Sequence, residues 1–161
     1  MVEVELVTVQ FEPRSAILVL RECAGRHRLL PIMIGETEAR AIENAVAGRT
    51  PPRPMTHDLF STVLADLGVA LVGVSVTELR DRTFYGELRL RGAAGERVVS
   101  CRPSDAVALA VRVGSPIFVA QEVIDAIGVE ESTPELAGEL SDEDVEAFRA
   151  FIEQVNPDDF G

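Results

Sequence analysis

The chain opens on an alternation. Val2, Val4 and Leu6 fall on one side and Glu3 and Glu5 on the other, the period of a strand with one buried face, so residues 2 to 9 are expected to form a strand that Pro13 ends. Ala16 to Leu20 is a continuous apolar run of strand length. Cys23-Ala24-Gly25-Arg26 supplies a polar, glycine-containing turn, and Leu29 to Ile34 is apolar again, so these two runs predict a hairpin. Past Gly35 the period changes. Ala39, Ile42, Ala45 and Val46 recur as they would on one face of a helix, and Gly48 is its natural stop.

Residues 49 to 54 include Pro51, Pro52 and Pro54, which makes a stiff connection rather than a domain linker. Thr56 can then cap a helix whose Leu59, Val63, Leu64 and Leu67 form one apolar stripe, stopped at Gly68. Val69 to Val76, Thr83 to Leu90 and Val98 to Cys101 predict a meander, with Gly92 to Gly95 as its second turn. Ser104 to Val113 is apolar nearly all round, which implies burial against a sheet or a partner subunit. A short strand at residues 116 to 119 and a short helix at Gln121 to Ile127 follow. Val129 to Leu140 is rich in Glu, Ser, Thr and Pro and predicts an exposed connection. A last helix is expected after Ser141, with Val145, Phe148, Ile152 and Val155 at helical spacing. Together these elements predict an α+β fold: a mixed, largely antiparallel sheet packed with helices in a single compact domain over residues 1–130, then an acidic connection and C-terminal amphipathic helix over 131–161.

Composition supports a folded core, with 47% hydrophobic and 26% charged residues among 161. No apolar run approaches the ~18 residues that span a bilayer, and Met1-Val2-Glu3-Val4-Glu5 offers no basic leader, so a soluble, cytoplasmic protein with no membrane partner is expected. Cys23 and Cys101 lack any CxxC or Cys/His spacing, which points to free thiols rather than a disulfide or zinc site. The net charge of −12 counts against a nucleic-acid partner, but its distribution weakens that argument. Residues 130 to 161 hold 11 of the 27 acids and one base, Arg149, which leaves residues 1 to 129 with 16 acids against 14 arginines.

Two polar stretches carry the candidate chemistry. Arg53-Pro54-Met55-Thr56-His57-Asp58-Leu59 is echoed by Arg102-Pro103-Ser104-Asp105-Ala106, and each precedes a run of helical period. The plain reading of Thr56 and Ser104 is N-capping, with Asp58 and Asp105 as first-turn acids that favour the helix dipole. Glu36 and Glu38 can be first-turn acids of their own helix, His57 a surface histidine, and Arg53 and Arg102 ion-pair partners of nearby acids. A capped helix start is also where a phosphate binds best, so these readings overlap with a functional one.

Four blocks in order identify a resemblance. Leu30-Pro31-Ile32-Met33-Ile34-Gly35 with Glu38-Ala39, the Arg53–Leu59 stretch, Pro103-Ser104-Asp105-Ala106-Val107-Ala108-Leu109-Ala110, and Pro116-Ile117-Phe118-Val119 together resemble the bifunctional nuclease (BFN) domain family over roughly residues 1 to 130. The closing residues 151 to 160 are similar to the tail of its bacterial members. The resemblance implies a compact α+β subunit, a homodimer, and hydrolysis of both DNA and RNA. On that reading His57, Asp58, Glu38 and Asp105 are the catalytic candidates, and Arg53, Arg102, Thr56 and Ser104 the substrate-binding ones. Glu36, Glu38, Asp58 and Asp105 are hard oxygen ligands for Mg²⁺ or Mn²⁺. The alternative is a non-catalytic regulatory or interaction protein, homodimeric, that binds a partner protein or a small anion.

Overall fold

The structure, a computed structural model, describes residues 1–130; the expected acidic connection and last helix lie outside the described residues. Strand β1 (Val2–Phe11) pairs antiparallel with β2 (Ala16–Glu22), and β2 with β3 (Leu29–Ile34), so the alternating opening and the two apolar runs build one meander. Helices α1 (Glu36–Val46) and α2 (Thr56–Asp66) follow. A second antiparallel meander is made by β4 (Ala70–Arg80), β5 (Thr83–Gly92) and β6 (Gly95–Cys101). Helix α3 (Pro103–Val113) then leads to β7 (Ile117–Val119) and α4 (Gln121–Ile127).

The strand order is β3-β2-β1-β7-β4-β5-β6. Three-residue β7 is therefore the seam between the meanders, antiparallel to β1 and parallel to β4, with Ile117 opposite both Val4 and Val74. Those three residues lie in one row on the face that carries the core. Val4, Leu18, Leu20, Leu30, Ile32, Val74, Val76 and Leu88 from the strands meet Ala39 and Ile42 of α1, residues Ala106 to Ala110 of α3, and Val123 and Ile124 of α4. Each large aliphatic side chain buried there contributes about 1.5–3 kcal/mol. The apolar run of α3 is thus core, which decides between the two burials its composition allowed. Its alanines let α3 lie close to α1 and to the sheet.

The start of α3 is set by a close approach. A Cβ on Gly86 in β5 would sit 3.2 Å from the Cys101 carbonyl oxygen and from Pro103 N, so glycine there lets the chain turn tightly from β6 into the helix. At the other end Gly114 takes a left-handed φ of 69°, and Ser115 N–H donates to the Ala110 carbonyl, closing the helix.

Two expectations change. Thr56 does not cap α2: it is the first helical residue and exposed, Met55 occupies the cap position, and the Asp58 carboxylate folds back to accept the Met55 N–H at 2.9 Å. Ser104 does not cap α3 either. Pro103, whose ring fixes a helical φ and whose missing N–H costs nothing in the first turn, takes the first helical position, so Arg102 becomes the cap residue and Ser104 is buried inside the turn. The apolar stripe of α2 does not face the core. Leu59 and Leu67 are 54% and 71% exposed, Val63 is exposed as well, Leu64 is half-buried, and no residue of α2 is buried.

Candidate active site

Helix α3 packs against both α1 and α2, which brings the first turns of the three helices together. His57, in the first turn of α2, has Nε2 3.0 Å from Asp105 Oδ1. Arg102 binds the same carboxylate through both of its oxygens, Nε to Oδ2 at 2.8 Å and Nη2 to Oδ1 at 3.0 Å, and its third nitrogen lies 3.0 Å from Glu38 Oε1. Glu38 reaches this point because its carboxylate folds back over the start of α1, where a Cβ on Gly35 would overlap Oε2. Three stretches far apart in sequence thus form one chain of contacts, Glu38–Arg102–Asp105–His57. It is partly shielded from water, with His57 at 14% and Glu38 at 19% side-chain exposure.

Burial alone would raise the Asp105 carboxyl, but the Arg102 guanidinium and then His57 outweigh it and hold its pKa below the ordinary value. Asp105 in turn holds Arg102 above its own usual range. An ionised Asp105 can only accept, so Nε2 of His57 donates, and the neutral ring carries its lone pair on Nδ1. A histidine fixed in one tautomer by a carboxylate is the arrangement of an oriented general base, and of a general acid once protonated.

Asp58 faces elsewhere. Its Oδ1 accepts from Arg112 Nε at 2.6 Å, and this ion pair, followed by the Met55 N–H, lowers its pKa. Arg112 is 9% exposed and also donates to the Ala108 and Ala41 carbonyls. The signal for Arg112 lay in plain sight: a cation that ends the apolar run of α3 must find partners before it can be shielded from water.

The remaining candidates stay apart. Glu36 pairs with Arg40 on the exposed side of α1. Arg53 and Thr56 are exposed and make no hydrogen bond or ion pair among the described residues. Ser104 is buried in the first turn of α3. Cys101 stays protonated at neutral pH, because burial pushes its thiol up to about 11. Among the described residues no three His, Cys, Asp or Glu side chains gather as a metal-ligand set. The carboxylates expected to hold one are engaged, Glu38 and Asp105 by Arg102 and Asp58 by Arg112, so these residues do not fit a ready-made divalent-ion site.

Residues 18–132 match the Bifunctional nuclease domain family. The chain belongs to that family. It is 41% identical over 98% of its length to an uncharacterized protein of Mycobacterium tuberculosis, covering 97% of that protein. It is 29% identical over 69% of its length to Bifunctional nuclease 1 of Oryza sativa subsp. japonica and to Bifunctional nuclease of Oryza minuta, and covers 34% of each. The family match runs from within β2 through α4, and its span includes every residue of the Glu38–Arg102–Asp105–His57 chain. No helix among the described residues is long and apolar enough to cross a membrane.

Proposed function

We propose that this BFN-domain protein is a nuclease that hydrolyses phosphodiester bonds of DNA and RNA in the cytoplasm. The observation that carries the reading is the contact between His57 and Asp105, which orients an imidazole beside the exposed guanidinium of Arg102 at the meeting of two helix starts. In this scheme His57 Nδ1 takes the proton of the attacking water or returns one to the leaving oxygen, and Asp105 stabilises the imidazolium. Arg102, 64% exposed, contacts the phosphate. Membership of the family and the name of the plant relatives, bifunctional nuclease, support the class of reaction. Mg²⁺ or Mn²⁺ assistance belongs to the assay rather than to this scheme, because no step in it passes through a metal.

The test incubates purified protein with single-stranded DNA and with RNA, in Mg²⁺, in Mn²⁺ and in EDTA, beside His57→Ala. Loss of the acid–base group is expected to lower the cleavage rate by about 10²–10⁴-fold. Equal cleavage by wild type and variant would remove His57 from the reaction. No cleavage by the wild type in any condition favours the alternative, a non-catalytic interaction protein.

We also propose a homodimer formed through the exposed side of α2. Its support is the half-exposed or more exposed row of Met55, Leu59, Phe60, Val63 and Leu67 on a helix with no buried residue. Light scattering behind size-exclusion chromatography is expected to give twice the chain mass, and Leu59→Glu with Leu67→Glu to give the single-chain mass. A single-chain mass for the wild type would end this proposal.

A further inference from the structure

His57 and Asp58 are adjacent in the first turn of α2, and each is tied to α3 by one charged contact: His57 to Asp105 and Asp58 to Arg112. No residue of α2 is buried, so little apolar packing determines where this turn sits. Arg112 does. Its Nη1 donates to the Ala108 carbonyl one turn back in α3 at 2.7 Å, and its Nη2 to the Ala41 carbonyl of α1 at 3.1 Å. With two nitrogens bound to two different helices, the planar guanidinium cannot swing, and its Nε presents a fixed donor to Asp58 Oδ1 at 2.6 Å. The other oxygen of Asp58 accepts the Met55 N–H at 2.9 Å, so the carboxylate carries that fixed point into the backbone on the far side of His57.

We infer that Arg112 is a positioning residue for His57: acting through Asp58, it clamps the first turn of α2 between α1 and α3 so that His57 Nε2 meets Asp105. Asp58 then serves as the link in this clamp rather than as a base or a metal ligand. A lysine at 112 has one nitrogen where the clamp uses three, so it can reach Asp58 or a carbonyl but cannot fix one against the other.

The assignment rests on His57 as the acid–base group proposed above, but its test reads no activity. The chain has only two histidines, His57 and His27, and His27 sits in the turn between β2 and β3 beside the Glu22 carbonyl. Ring ¹⁵N NMR of the full-length protein distinguishes the two tautomers of each neutral imidazole. In the wild type, His57 is expected as the Nε2–H form alone. Arg112→Lys and Asp58→Asn are each expected to turn it into a mixture of tautomers and to move its ring ¹H resonance, while His27 and the far-ultraviolet circular dichroism stay unchanged. The double variant is expected to match the larger single one, because both changes break the same link.

An unchanged His57 spectrum in both single variants would overturn the clamp. So would a double variant that sums the two single effects, or His27 shifting together with His57, which would mean general loosening. If Arg112→Lys does not fold, Asp58→Asn carries the same test, since it leaves the buried arginine bonded to both carbonyls. A positive spectrum with a silent nuclease assay keeps the clamp and removes the proposed reaction; the reverse result removes the clamp alone.

Discussion

Helices α2 and α3 begin with nearly the same words, Arg-Pro followed by a hydroxyl residue and an aspartate, and each continues into an apolar run. They end in opposite surroundings. Leu109 of α3 is 3% exposed and Leu59 of α2 is 54% exposed. The difference begins with the proline. Pro103 is the first helical residue, buried where Gly86 makes room for the turn from β6, so α3 starts inside the core. Pro54 precedes the cap residue and belongs to an exposed connection, so α2 starts outside it. An apolar helical stripe therefore marks a face that some partner can cover, and only the chain geometry at its start decides whether that partner is the chain's own sheet.

Three experiments test this contrast between α2 and α3. Leu109→Ala is expected to have the largest effect, a loss of about 2–5 kcal/mol in chemical denaturation, because it opens a cavity between α3 and the sheet. A loss below about 0.5 kcal/mol would mean that α3 is no better packed than α2. Next comes acid. Both Asp58 and Asp105 have folded-state pKa values below the ordinary one, so below pH ~4 the unfolded chain binds protons that the folded chain does not. Their stabilisation is complete above that pH and is lost as pH falls through the lowered folded values. Thermal melts from about pH 6 to pH 2.5 are expected to show Tm falling in the wild type and falling less steeply in Asp58→Asn with Asp105→Asn. Equal slopes would mean that the two contacts between α2 and α3 add no stability. The smallest effect is expected from Leu59→Ala, within about 0.5 kcal/mol for the isolated chain. A larger loss at low protein concentration would show α2 packed against something within its own chain.

Most of the strands were legible because alternation and apolar runs record which faces are buried, and β2, β3 and β5 follow those patterns closely. The length of β7 hid its role: three residues carry no period, so nothing local announces a strand that joins two meanders with one antiparallel and one parallel edge. The site was legible in part for the same reason. Glu38, His57, Arg102 and Asp105 could be proposed from motif blocks, but their mutual contact depends on the packing of three helices. The hydroxyls of Thr56 and Ser104 do not cap their helices, because helix boundaries shift by one residue with the position of a proline, and one residue decides whether an oxygen caps a helix or lies within it. Arg112 had no motif at all, only the oddity of its charge.

The seam strand also bears on how the sheet comes together. Val2 and Val4 of β1 wait for Val119 and Ile117, so the edge of the first meander stays open until almost the whole of residues 1–130 has been synthesised. Each meander can form from neighbouring turns, whereas joining them requires the longest loop closures among the described strands. The topology thus lets each half form from local turns, while the sheet can become continuous only once a strand of three residues, which carries its order in topology rather than in length, has been made.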